Sequence, residues 1–145
     1  MKLSTFSDYS LRVLIYLGVR PGRLATIGEI SDVFQVSQGH LMKVVHQLGR
    51  NGYIETVRGK GGGIRLGRPP EDIILGQVIR QTEVDMDLVE CFGSESHCRI
   101  QPACRLRFIL NEGLEAMFQV LDGYTLADLL RQPEDLTTLI GLAER

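Results

Sequence analysis

Residues Thr26–Leu66, TIGEISDVFQVSQGHLMKVVHQLGRNGYIETVRGKGGGIRL, form the stretch that decides the fold. Thr26-Ile27-Gly28-Glu29 is a capping-box pattern, in which the threonine hydroxyl and the glutamate satisfy free amides at a helix start. That start predicts a helix running to about Phe34. After Gln35-Val36, Ser37 is a good N-cap for a further helix over about Gln38 to Asn51, and Gly52 supplies its stop. Ile30, Val36, Leu41, Val44, Val45 and Leu48 form a shared apolar core. Gln38, Gly39, His40, Lys43 and His46 are left on the outer or leading face of the second helix. Reading DNA requires that division, because the leading end of the second helix must enter the major groove with polar side chains free. Any packed helix pair looks similar, so the pattern is weak on its own.

The residues after Gly52 strengthen it. Tyr53-Ile54-Glu55-Thr56-Val57 has strand composition, and Gly63-Ile64-Arg65-Leu66 is its return strand. Between them lies Arg58-Gly59-Lys60-Gly61-Gly62, a glycine-rich loop carrying cations. A helix-turn-helix leading into a β-hairpin is a winged helix. The glycines let the wing tip approach a phosphate backbone closely. Arg58, Lys60 and Arg65 are placed to neutralise phosphates or enter the minor groove. A nucleotide-binding P-loop is the competing interpretation, but its Gly-Lys-Ser/Thr ending is absent. A flexible solvated hairpin is the plainer one.

Outward from this unit, a first helix is expected from Ser4 or Ser7 to Val19, ended by Pro21-Gly22. Pro69-Pro70 marks a boundary, and a short helix is expected over about Ile74 to Gln81. From Glu83 to Pro102 the chain is polar and loop-like and holds all three cysteines. A long helical pattern runs from about Cys104 to Leu121, with an apolar stripe of Leu106, Ile109, Leu110, Leu114, Met117, Phe118 and Leu121. A lone helix of this kind needs a partner surface. A second copy of the chain is the obvious one, giving a homodimer with a paired-helix seam; packing on its own domain is the alternative. Thr125 caps a short helix through Leu130, and the last residues are loosely amphipathic. The expected class is mostly α with a small β-hairpin wing, a winged helix-turn-helix plus a long dimerisation helix. The expected organisation is a DNA-binding domain over 1–80, a cysteine-bearing loop over 81–103, and a dimerisation helix with C-terminal segment over 104–145.

The whole chain has 145 residues, enough for one domain that buries about two-thirds of its unfolded surface without disulfide or metal. Its 43% apolar and 23% charged residues exclude wholesale disorder. The longest apolar run, Val13–Val19, is interrupted by Gly18 and far too short to span a membrane. The first residues lack the apolar core of a signal peptide, so a cytoplasmic protein is expected. The net charge of −2 hides a split: residues 1–80 carry +5 and residues 81–145 carry −7. A basic working surface joined to an acidic segment with another task explains the asymmetry better than chance scatter. No convincing nucleophile–base pairing is present, and His40, His46 and His97 fall on expected exposed surfaces, so an enzyme is not expected.

Cys91, Cys98 and Cys104 fall within fourteen positions, with six and five residues between them. Three cysteines in a reducing compartment do not make a disulfide framework. Three neighbouring thiolates suit a soft metal. The spacing is too wide for zinc knuckles and differs from the usual ferredoxin patterns. An iron–sulfur cluster fits best, since its ligands must spread around a larger object. Zinc, a thiol redox sensor and unliganded structural cysteines remain as alternatives, and His97 beside Cys98 reads more simply as a surface histidine than as a further ligand.

Several segments together resemble a family of bacterial iron–sulfur winged-helix transcription regulators. They are Phe6-Ser7-Asp8-Tyr9-Ser10-Leu11-Arg12, the wing from Val57 to Leu66, the cysteine loop with Pro102-Ala103-Cys104-Arg105-Leu106, and Leu121-Asp122-Gly123-Tyr124-Thr125-Leu126-Ala127-Asp128-Leu129. The likeness covers nearly the whole chain, and Tyr124–Asp128 points to the nitric-oxide-sensing branch. It implies a homodimeric repressor with one cluster per subunit, [4Fe-4S] or [2Fe-2S], held by Cys91, Cys98 and Cys104. Cluster-assembly regulators of the family add a histidine three residues after the last cysteine, where this chain has Arg107. Nitric-oxide-sensing members can use an amino-terminal aspartate from the other subunit, which maps to Asp8. A plainer role for Asp8 is that of an acidic residue favoured at a helix start.

The expected partner is a pseudo-palindromic double-stranded DNA operator, with Gln38, His40 and Lys43 in the groove. Ser37 is expected on phosphate, with Arg58, Lys60 and Arg65 in the wing. Nitric oxide is the expected signal. The rivals are a regulator sensing iron or cluster supply and, from another class, an electron-transfer iron–sulfur protein.

Overall fold

The computed structural model describes residues 1–141, so the final positions of the expected C-terminal segment, 142–145, lie outside the described residues. Its elements are α1 (Thr5–Gly18), α2 (Ile27–Phe34), α3 (Gln38–Arg50), β1 (Ile54–Val57), β2 (Gly63–Leu66), α4 (Leu75–Thr82), α5 (Leu106–Asp122), α6 (Leu126–Leu129) and α7 (Pro133–Leu139). The chain is therefore mostly helical with one antiparallel hairpin, as expected. No helix among the described residues is long and apolar enough to cross a membrane.

Local chemistry sets the first three helices. Ser4 caps α1 by accepting from the Ser7 amide at 3.2 Å. Thr26 caps α2 by accepting from the Glu29 amide at 3.1 Å, and Ser37 caps α3 by accepting from the His40 amide at 3.2 Å. The turn between α2 and α3 passes through Gln35 at φ 55, a left-handed conformation unusual for a non-glycine residue. Ser31 braces it, its backbone carbonyl accepting from the Val36 amide and its hydroxyl donating to the Val36 carbonyl. All six expected core residues of this pair are buried, from Ile30, Val44 and Leu48 at 0% exposure to Val36 at 8%.

The hairpin pairs Ile54 with Leu66 and Val57 with Gly63. A third segment joins it: Ala25 and Ile64 exchange backbone hydrogen bonds of 2.9 and 2.7 Å. A Cβ at position 63 would run into the Ala25 carbonyl, so glycine there permits the close approach. The bridge fixes the wing against the start of α2.

The C-terminal segment docks on this same unit. The Leu126 amide donates to the Ile73 carbonyl at 2.8 Å and the Leu75 amide to the Tyr124 carbonyl at 3.0 Å. Leu126 is completely buried with Val13, Leu14, Ile73 and Val78 in one core, and Leu130 packs on Gly18 of α1. Asp128 closes the start of α6 by accepting from the Thr125 amide at 2.8 Å. The long helix starts at Leu106 rather than Cys104, because a 3-10 turn over Gln101–Ala103 leaves Cys104 extended.

Candidate nucleic-acid interface and metal centre

The exposed face of α3 presents Gln38, Gly39, Met42, Lys43, His46 and Arg50. Its opposite face, Leu41, Val44, Val45 and Leu48, is buried. Ser37 stands exposed at its amino end. His40 departs from the expected free surface position. It is half-buried, its ring edge-on to Tyr9 at 4.9 Å between centroids and 6.3 Å from Phe6. Position 40 turns toward α1, and the two aromatic side chains there give the imidazole a packing surface. Arg50 extends the cationic line of α3 beyond Lys43. Its seven-residue step from Lys43 on a helix is the sequence signal that places it there.

In the wing, Arg58 and Lys60 are fully presented at the tip, where Gly59 and Gly61 take φ of 97 and 76. Arg65 is tied to Glu55 across the strands, 3.1 Å from its carboxylate. The pair is half-exposed, so screening leaves it weak and Arg65 can be released to a phosphate. Arg68 belongs to no sequence motif. It donates to the Asn51 and Gly52 carbonyls and covers Tyr53 at 4.6 Å, which fixes the base of the wing.

Cys91, Cys98 and Cys104 are all free thiols; Cys98 is exposed and the other two are half-buried. Cys91 lies in a 3-10 turn over Glu90–Phe92, and Cys104 lies just before the start of α5. The start of α5 has no side-chain cap. The donor set, three accessible thiols without disulfide partners, suits iron or another soft metal. Among the described residues, no three His, Cys, Asp or Glu side chains converge as a metal-binding group within the single chain. Asp8 lies elsewhere, in the first turn of α1, where its carboxylate takes two hydrogen bonds from Arg12 at 3.1 and 2.9 Å. Arg12 also lies over the rings of Tyr9 and Phe34.

Two ties connect α1 to the root of the cysteine loop, and neither is legible as a motif. The Ser4 amide donates to Glu83 at 2.6 Å, and Ser7 and Thr82 share a buried hydroxyl–hydroxyl bond of 2.7 Å. Burial pushes the Glu83 carboxyl up, but the hydrogen bonds from Ser4 and Ser7 outweigh it and hold its pKa below the ordinary value. Further along, Arg80 of α4 pairs with Asp122 of α5 through bonds of 2.7 and 2.9 Å and covers Phe118 at 4.4 Å. The hydrogen bonds from Arg80 lower the Asp122 pKa. A Cβ on Gly76 would collide with Asp122, so the glycine lets α4 and α5 touch.

Of the apolar stripe on α5, only Phe118 is buried; Leu106 and Ile109 are 57% and 59% exposed. Phe108 and Val120, outside the expected stripe, are exposed as well. The helix is thus anchored at its C-terminal end and leaves an apolar face uncovered.

The Rrf2 family pattern, described as an iron-dependent transcriptional regulator, matches residues 3–132. The HTH-type transcriptional regulator NsrR of Bacillus subtilis (strain 168) is 51% identical, over 99% of this chain and 100% of its own length. Among solved structures, T. potens IscR superposes with a TM-score of 0.74 at 26% identity, over 94% of this chain and 90% of that one. The oxidized form of Staphylococcus aureus CymR gives 0.73 at 30% identity, over 90% and 97%.

Proposed function

The chain belongs to the Rrf2 family of transcriptional regulators, and we propose that it is an iron–sulfur-dependent, homodimeric repressor in the cytoplasm that senses nitric oxide and releases the operators of detoxification genes. One observation carries this reading. A winged helix with a cationic edge is joined to three free cysteines at the foot of a helix with an uncovered apolar face.

Cys91, Cys98 and Cys104 would hold the cluster, with an aspartate of the second copy, at position 8, as its fourth ligand. When bound, a cluster of this kind supplies an iron that a small diatomic ligand can reach, because carboxylate holds iron less firmly than thiolate. The remaining work falls to the chain itself. Leu106, Phe108 and Ile109 of α5 bury their apolar surface against the same helix of the second copy. Asp8 must leave Arg12 to reach across, so ligation at Asp8 bears directly on α1. The Ser4–Glu83 and Ser7–Thr82 bonds tie α1 to the cysteine loop, and His40 ties α3 to α1. Changes at the loop thereby reach the spacing of the two α3 helices, which must match half-sites one helical turn apart.

At the operator, Ser37 and the amides beside it meet phosphate, and Gln38 and Lys43 enter the groove, with His40 at its edge. Arg58, Lys60 and Arg65 serve the wing. The family description, an iron-dependent transcriptional regulator, favours a second reading, a regulator of iron or cluster supply. Arg107, where the cluster-assembly regulators carry histidine, weighs against it.

Subunit mixing tests the ligand set. Asp8→Ala and Cys98→Ser homodimers should each lose stable cluster, and co-expressed mixed dimers should regain one intact site. An Asp8→Ala protein with unchanged cluster stability and nitric oxide response would remove Asp8 from the set.

A further inference from the structure

We infer that Met42 is a base-reading residue of the interface, forming with Gly39 an apolar notch on α3 that receives the C5-methyl of a thymine. The inference rests on the operator-binding reading above and adds what the leading end of α3 recognises. Met42 is 59% exposed, although Leu41, Val44, Val45 and Leu48 already fill the core side of the helix. The fold therefore does not need its thioether inside. Gly39, one turn earlier, is unexplained by the fold as well. Its φ is not left-handed, and a Cβ there would meet nothing within 4 Å. Glycine is the poorest helix former after proline, so its presence in the first turn is a cost without internal return.

Together the two residues put a position without a side chain one turn before an exposed thioether on the outer face of α3. Its surroundings choose the occupant. Lys43, His46 and Arg50 share this face, and α3 contains no acidic residue. A polyanion with an apolar group on its accessible edge matches that setting, and thymine is the base that carries a methyl in the major groove. Methionine is unbranched and adaptable, which suits contact with a methyl at the end of its reach.

The test uses the full-length protein, purified without oxygen, and a randomised duplex pool from which it enriches its own site. Each thymine of that site is then replaced by deoxyuridine, which removes only the methyl. At one position per half-site the wild type should bind about fourfold more weakly, the worth of one buried methyl-sized group. Met42→Gln should bind the two duplexes equally, Met42→Leu should restore the discrimination, and Lys43→Ala should weaken both duplexes alike while keeping it. The inference is overturned if no thymine shows the effect, or if the effect persists in Met42→Gln. A pool that enriches nothing overturns the operator reading and the inference with it. Enrichment without any methyl effect overturns the inference alone.

Discussion

Leu126→Ala tests whether the C-terminal segment belongs to the DNA-binding core. Leu126 is wholly buried, and its backbone amide is held by Ile73 at 2.8 Å. It shares one core with Val13, Leu14, Ile73 and Val78, which come from α1, the segment before α4, and α4 itself. Those elements are pinned by their own hydrogen bonds and have little room to collapse. Removing three carbons from such a site costs about 3 kcal/mol in lost transfer energy and residual cavity. For a chain of this length that lowers the melting temperature by about 10 °C. The assay is thermal unfolding at fixed protein concentration, since dimerisation would couple to stability. Helical circular dichroism and the near-ultraviolet signal of the buried Tyr16 and Tyr53 are tracked together. Both signals should shift together, because one core is being weakened. If the tyrosine transition stays in place while only part of the helical signal melts early, the segment is a separate unit and the reasoning fails.

The same geometry sets other outcomes. Lys60→Ala at the exposed wing tip should weaken operator binding by a similar factor for all sequences and reduce the salt slope by about one ion; a change of sequence preference at fixed slope would contradict its role. Ile109→Glu on the uncovered face of α5 should shift the protein from dimer to monomer in sedimentation while leaving its helix content intact. Glu29 gives a pH dependence. Burial pushes its carboxyl up, but hydrogen bonds from Arg23 at 2.5 Å and Tyr16 at 3.0 Å outweigh this and lower its pKa. The stability this tie adds is therefore complete above the ordinary value of 4.5 and is lost as the pH falls through the lowered one. Glu29→Gln should flatten that acid limb of a stability–pH curve.

The winged helix is legible in the sequence because its determinants are local. The Thr26 and Ser37 caps act over three residues, and the wing announces itself through Gly59, Gly61 and flanking strand composition. Glu29 shows where local reading stops: its backbone amide meets the Thr26 cap, while its carboxylate takes bonds from Tyr16 and Arg23. The contacts that organise the cysteine-loop and C-terminal end join residues far apart in sequence. Ser4 meets Glu83, Arg80 meets Asp122, and Leu126 pairs with Ile73. No periodicity encodes such pairings. The half-buried position of His40 is hidden for the same reason, since only the approach of α1 makes its side of α3 an inner one. The cysteine spacing conveys the donor chemistry of the loop but not its geometry: among the described residues no three His, Cys, Asp or Glu side chains converge as a metal-binding group.

A cluster on Cys91, Cys98 and Cys104 is proposed to govern operator binding and to yield to nitric oxide. The most direct measurement of that coupling is an anaerobic titration with nitric oxide, recording the visible absorption and operator binding of the same sample. The protein should be coloured, with iron–thiolate absorption that changes in step with loss of operator binding, both effects vanishing in Cys98→Ser. A colourless protein carrying zinc, or operator binding that persists while the absorption is destroyed, would contradict it.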